Sequence, residues 1–183
     1  MTKRFRRFLP AVALLLATGL LTGCSTLSSP TTVSVFDARQ ELDALMDYTV
    51  GAVNPKLEWA SDPYSMAEDK DDLTGKEPGT VTVYTARHLK TIVGPSKAEE
   101  LFSAVEKRLR EKDYRPERTA RSLTVTQGRI YFNLENHQDG FGVRVEYGPA
   151  ADPHNSTVFD PATPVVEQAV MSRGTVTDPY WSH

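Results

Sequence analysis

Three neighbouring runs in the second half of the chain alternate apolar and polar residues with a strict period of two. Residues 122–127, 129–136 and 141–148 each place their apolar side chains on one face. A period of two is the repeat of a β-strand, and a strand with one apolar face needs a cover. Gly128 and an Asp-Gly pair separate the runs, where tight turns join antiparallel strands. The pattern therefore predicts a three-stranded antiparallel meander with one buried face.

The polar positions of this meander define a candidate interaction face. Five side chains of its second and third strands are predicted to point away from the core: Tyr131, Asn133, Glu135, Arg144 and Glu146. Aromatic residues and arginine are enriched at the centres of protein interfaces. The alternative is a solvated sheet surface whose opposite charges pair across strands. The sequence leaves both interpretations open.

Two amphipathic segments supply a cover for the sheet. Residues 36–53 and 96–113 carry apolar side chains at helical spacing, and residues 80–86 alternate as a further strand. The Pro- and Gly-rich residues 55–79 are expected to form a loop. The element order is then α-β-α-β-β-β. We expect a two-layer α+β domain over residues 36–148, with a four-stranded, mostly antiparallel sheet covered on one face by both helices.

The segments on either side of this domain have a different composition. Residues 24–35 are rich in Ser and Thr, and we expect them to form a flexible tether. Residues 149–183 hold five of the 12 prolines of the chain and show little apolar periodicity. We expect this C-terminal tail to be loosely packed.

The first 23 residues have the three parts of a cleaved export signal. Four basic residues fall within the first seven positions, residues 10–21 form an apolar run, and small residues precede Cys24. The run is shorter than the ~20 residues that a membrane-spanning helix needs. Cys24 is the single cysteine of the chain. A single cysteine excludes an intramolecular disulfide and a metal site built from several cysteines.

The sequence Leu21-Thr22-Gly23-Cys24 resembles the lipobox of bacterial lipoproteins. The resemblance implies cleavage after Gly23 and a diacylglyceryl group on the Cys24 sulfur. One acyl chain holds a protein to a membrane only marginally, whereas two chains give a stable anchor. We therefore expect residues 1–23 to be removed and the domain to sit on the extracytoplasmic face of the cell membrane. The alternative is an ordinary secreted protein with a cysteine near its cleavage site.

The element order and the lipobox together are similar to small extracytoplasmic lipoproteins of high-GC Gram-positive bacteria that have no assigned activity. That similarity implies a location and a layout, and no reaction. Arg6-Arg7-Phe8-Leu9 also resembles a twin-arginine export signal, although the usual spacer before the Phe is missing. The general secretory route is therefore favoured.

Charge and motif content narrow the classes of function. Four of the 21 basic residues precede residue 23, which leaves 17 against 24 acidic residues and a net charge of −7 beyond it. A domain this acidic is a poor nucleic-acid binder. The four histidines lack the spacing of zinc sites, and we expect them to be solvated. The acidic run at residues 69–72 lacks the ligands of a calcium loop. We therefore predict no cofactor and no metal.

No motif of a nucleophilic or acid–base enzyme is present in the sequence. We accordingly expect a non-enzymatic binding or interaction module that recognises an envelope protein or a cell-wall component. One alternative is an envelope hydrolase whose site is assembled from dispersed residues. Another is a structural or regulatory lipoprotein that acts through its location alone.

The lipid anchor is directly testable. Mass spectrometry of the native protein should find Cys24 as the first residue, carrying a diacylglyceryl group. A Cys24→Ala variant should leave the membrane fraction, because the thiol that accepts the lipid is missing. A native protein that is water-soluble and has an unmodified first residue would contradict the expectation.

Overall fold

A seven-stranded antiparallel sheet carries the fold in the computed structural model, which describes residues 33–68, 80–151 and 172–183. The elements in chain order are α1 (Val35–Thr49), β1 (Trp59–Ser61), β2 (Ser65–Glu68), β3 (Thr80–Leu89), α2 (Pro95–Glu111), β4 (Glu117–Arg118), β5 (Ser122–Gln127), β6 (Ile130–His137) and β7 (Gly140–Ala151). The strand order is β1-β3-β7-β6-β5-β4, and β2 also pairs with β3. The predicted α+β class is confirmed.

The predicted number of strands, four, is wrong. The additional strands β1, β2 and β4 have three, four and two residues, too few to show a period of two. β1 and β2 lie in the segment that was expected to be a loop, and both pair antiparallel with β3. These strands form because β3 offers backbone partners from a distant part of the chain, which no local pattern reports.

The meander has the register that its alternation predicts. The inward side chains of its three strands are all buried: Leu123, Val125, Ile130, Phe132, Leu134, Phe141, Val143, Val145 and Tyr147. β5 pairs with β6 and β6 with β7, both antiparallel. A slip by one residue would turn this whole set towards solvent, and burial therefore specifies the register.

Both helices lie on the same face of the sheet. Phe102 of α2 packs edge-on against Phe141 of β7, with ring centroids 5.3 Å apart. Asp47 of α1 accepts a 2.8 Å hydrogen bond from Arg87 of β3. Arg87 stands opposite Val143 in the β3–β7 pair and so shares the face of Phe141. No helix within residues 33–68, 80–151 and 172–183 is long and apolar enough to span a membrane.

The fold extends beyond both ends of the expected domain. Val35, which was assigned to the tether, is buried in the core. The backbone N–H of Ala151 donates to Val33 O at 2.7 Å, and Ala150 is fully buried. β7 therefore continues past residue 148. The signal, Cys24, the tether up to residue 32 and tail residues 152–171 lie outside the described residues.

The expectation of a loosely packed tail is wrong for residues 172–183, here called the C-terminal segment. Trp181 is 1 % exposed, and its Nε1 donates to Pro55 O at 2.9 Å. Gly94 N donates to Trp181 O at 2.7 Å, and Ser96 Oγ donates to His183 O at 2.7 Å. Trp181 is the one residue of this segment in the buried core, and a single buried position creates no periodicity that a sequence pattern could reveal.

Glycine is required where the C-terminal segment meets the start of α2. A Cβ atom on Gly94 would lie 2.6 Å from His183 O, which is closer than real Cβ contacts. The hydroxyl of Ser96, the second residue of α2, donates to His183 O. The residue at the N-cap of α2 is Gly94, which has no side chain to cap with.

Removal of the Trp181 side chain should weaken the packing of the C-terminal segment against the core. We expect Trp181→Ala to lower the free energy of unfolding by about 3–5 kcal/mol, because a large side chain leaves the core. The control is Phe36→Ala, since Phe36 is 54 % exposed, and it should change stability by about 0.5 kcal/mol or less. Urea denaturation measures both changes. Equal losses in the two variants would contradict the packing described here.

Candidate functional site

The sheet face opposite the helices, here called the open face, is covered by none of the described helices. All five predicted interaction residues lie on it. Tyr131 pairs with Glu146 and Asn133 pairs with Arg144 across the β6–β7 ladder, while Glu135 stands opposite a glycine. The structure therefore brings these residues onto one continuous surface.

Hydrogen bonds and ring contacts hold the side chains of the open face in place. Arg144 Nε donates to Glu146 Oε1 at 2.6 Å, and the Arg144 guanidinium lies 4.8 Å from the centroid of the Tyr84 ring. Asn133 Oδ1 accepts from Thr124 Oγ1 at 3.0 Å. The exposed ion pair stabilises the fold by less than about 1 kcal/mol. Its effect is to orient the arginine rather than to stabilise the sheet.

A cleft of about 270 Å³ opens at one end of this face. Three of the five predicted residues, Asn133, Glu135 and Arg144, line it, whereas Tyr131 and Glu146 do not. Three further polar lining residues come from outside β6 and β7: Asp62, His88 and Arg173. The cleft therefore combines part of the predicted face with groups that the sequence pattern did not indicate.

A buried histidine organises the wall of the cleft. His88 is 5 % exposed, which corrects the expectation that it is solvated. Its Nε2 lies 3.0 Å from Asp62 Oδ2, and its Nδ1 accepts a 2.9 Å hydrogen bond from Arg173 Nε. Since an arginine nitrogen only donates, Nδ1 carries the lone pair and Nε2 carries the proton that Asp62 accepts. Both ring nitrogens are therefore occupied.

Arg173 is held from two sides. Its Nη1 lies 3.1 Å and 3.3 Å from the two carboxylate oxygens of Asp139. Burial alone would raise the pKa of Asp139, but the hydrogen bond from Arg173, a backbone hydrogen bond and nearby positive charge outweigh it and lower that pKa. The carboxylate is therefore ionised at neutral pH and fixes the guanidinium.

Gly142 leaves the space that the guanidinium occupies. A Cβ atom at this position of β7 would lie 3.0 Å from Arg173 Nη2 and 3.4 Å from His137 Nε2. His88 of β3 stands directly opposite Gly142 in the sheet. The missing side chain thus lets Arg173 lie against the strand beside the imidazole.

Sequence reasoning missed Asp62, His88 and Arg173 as a group. Asp62 lies in a segment expected to be a loop, and Arg173 lies in the expected tail. The three residues meet only through β1–β3 pairing and the return of the C-terminal segment along Lys90, whose carbonyl accepts from Thr175 N at 2.8 Å. The predicted strand over residues 80–86 ended before His88, which β3 includes in the structure. Continuing its alternation by two residues is the one local signal that places His88 on the open face.

Neither similarity to known proteins nor a metal-binding cluster assigns a function to this chain. Comparison of the chain with protein-family models, with curated proteins and with solved structures finds no match. Within the described ranges, no three histidine, cysteine or acidic side chains are grouped closely enough to hold a metal ion. The side chains of the cleft and the open face are therefore the evidence that bears on function.

His88 should stabilise the fold through its hydrogen bonds in the wall of the cleft. We expect His88→Phe to lower the free energy of unfolding by roughly 2–4 kcal/mol, because it leaves a buried carboxylate oxygen and a guanidinium N–H without their partner. His137→Phe is the matched control. His137 is half-exposed and 3.8 Å from its carboxylate neighbour, Glu135, and its replacement should cost about 0.5 kcal/mol or less. Chemical denaturation of both variants measures the difference, and a neutral His88→Phe would refute the assignment.

Proposed function

We propose that this chain is a lipid-anchored, extracytoplasmic binding module of the cell envelope that uses the open face as its binding surface. The anchor is supported by the sequence around Cys24, with its resemblance to a lipobox. The observation that carries the binding role is the cleft on the open face, lined by arginine, asparagine, carboxylate and histidine side chains.

The composition of the open face supports recognition rather than simple solvation. Two tyrosines, Tyr84 and Tyr131, lie on it beside Arg144, whose guanidinium is oriented by Tyr84 and Glu146. Side chains that are held in place lose little entropy when a partner binds, which favours affinity. The cleft is slightly smaller than the usual ~300–1,000 Å³ of small-molecule sites. It therefore suits a small polar group better than a large cofactor.

The alternative function is an envelope hydrolase. The buried pair of His88 and Asp62 favours it, since a carboxylate that orients a histidine is part of many hydrolytic sites. A general base, however, needs a free lone pair within reach of its nucleophile. The lone pair of His88 lies on Nδ1 and accepts from Arg173, while Nε2 donates to Asp62. We therefore prefer a binding role for this arrangement.

Site-specific cross-linking in intact cells tests the binding role. A photoreactive aromatic residue in place of Tyr131 should cross-link a defined partner, whereas the same residue in place of Lys107, exposed on α2, should not. A double variant that exchanges Arg144 and Glu146 keeps an ion pair but reverses its direction.

The exchange should abolish cross-linking at position 131 while the protein remains folded, because recognition depends on where the charges stand. Circular dichroism checks the fold of each variant. Identical cross-linking from positions 131 and 107, or cross-linking that the exchange does not alter, would overturn the proposal.

A further inference from the structure

One oxygen of Asp62 is buried without a donor. The Asp62 side chain is 9 % exposed, and its Oδ2 is bonded to His88. Its Oδ1 has no hydrogen-bond partner among the described residues. Because a buried carboxylate oxygen is costly without a donor, the cleft favours a group that brings N–H bonds to it, above all a cationic one.

Arg173 offers the complementary group at the other end of His88. Its side chain is 12 % exposed, with Nε bonded to His88 and Nη1 bonded to Asp139. Nη2 has no hydrogen-bond partner in the described part of the chain. In a planar guanidinium, one N–H of Nη2 is parallel to the Nε–H. That N–H is directed along the same side of the cleft as the bond to His88.

The two unused atoms belong to the two groups that His88 connects. His88 joins Asp62 Oδ2 to Arg173 Nε, and the unused Oδ1 and Nη2 are the second atoms of the same two groups. A ligand that bridges them beside the ring needs a donor at the aspartate end and an acceptor at the arginine end.

We propose that the cleft binds a free α-amino acid, with its ammonium group on Asp62 and its carboxylate on Arg173. An α-amino acid carries both groups on one carbon, so that one small ligand supplies the donor and the acceptor together. This inference rests on the proposed binding function and names its ligand class.

The rest of the cleft balances both charges of such a ligand. Arg144 also lines the cleft, and its terminal nitrogens have no hydrogen-bond partner among the described residues. Glu135 lines the cleft as a second carboxylate. Arg144 and Arg173 already pair with Glu146 and Asp139, but each guanidinium keeps N–H groups beyond its ion pair. A simple anion would leave Asp62 without a donor, and a simple cation would leave those N–H groups without an acceptor. A zwitterion satisfies both. The volume of about 270 Å³ suits a single residue rather than a chain.

The first arm of the test uses the full-length wild-type protein and a panel of L- and D-amino acids. At least one amino acid should raise the Tm in proportion to its concentration and show saturable binding in calorimetry. Two analogues of the best ligand, one without its amino group and one without its carboxylate, should bind at least tenfold more weakly. For alanine these analogues are propionate and ethylamine.

The second arm uses variants with matched controls. Asp62→Asn and Arg173→Lys should each weaken binding by roughly tenfold to hundredfold, the loss expected for one hydrogen bond to a charged group. Asp47 pairs with Arg87 on the helix-covered face of the sheet, and Arg110 pairs with Glu106 within α2. Asp47→Asn and Arg110→Lys should therefore leave affinity unchanged. Should a cleft variant fail to fold, the comparison of analogues on the wild-type protein still decides.

Three outcomes would overturn the inference. They are no binding by any amino acid at millimolar concentration, binding of either analogue as tight as that of the best ligand, or full affinity in both cleft variants when folded. If partner cross-linking at position 131 persists in any of these cases, the binding function stands and only its ligand is wrong. If cross-linking fails as well, both proposals fail.

Discussion

The pairing of β3 with β7 is the interaction on which the rest of the structure depends. It joins the middle of the chain to its later part over a long antiparallel register, from Thr80 opposite Ala151 to His88 opposite Gly142. Both helices pack against the apolar side chains on one face of this strand pair. On the other side, the same register places the His88 imidazole beside the gap left by Gly142. The core and the cleft are thus two faces of one ladder.

The C-terminal segment connects the stability of the fold to the geometry of the cleft. Trp181 fills a place in the core near Pro55, and Gly174 N donates to Leu89 O at 3.1 Å at the end of β3. Arg173 precedes that glycine and reaches the imidazole from outside the sheet. Because the same few residues supply a core tryptophan and a cleft arginine, loosening of this segment would remove the arginine from the site.

The sequence pattern predicted the long helices and strands well, because each contains several repeats of its apolar pattern. It missed the strands of two to four residues, which are too short to contain such a repeat. The meander and both helices follow from alternation and helical spacing, since burial on one face imposes a repeat that the sequence must carry. The candidate interaction face consists of the polar positions of the meander, opposite its buried face. The structure places Tyr131, Asn133, Glu135, Arg144 and Glu146 together on it. The short strands escaped prediction because backbone pairing, and not their own side chains, makes them strands: β1 and β2 pair with β3, and β4 pairs with β5.

The sequence by itself determined which residues point to the core and which to the open face, and it supports the expectation of a lipid anchor at Cys24. Both conclusions rest on features read within about twenty consecutive residues. Only the tertiary structure decided that Asp62, His88 and Arg173 form one hydrogen-bonded chain, with partners 26 and 85 positions apart. Such contacts depend on strand pairing and on the return path of the C-terminal segment, and neither leaves a repeat in the amino-acid order.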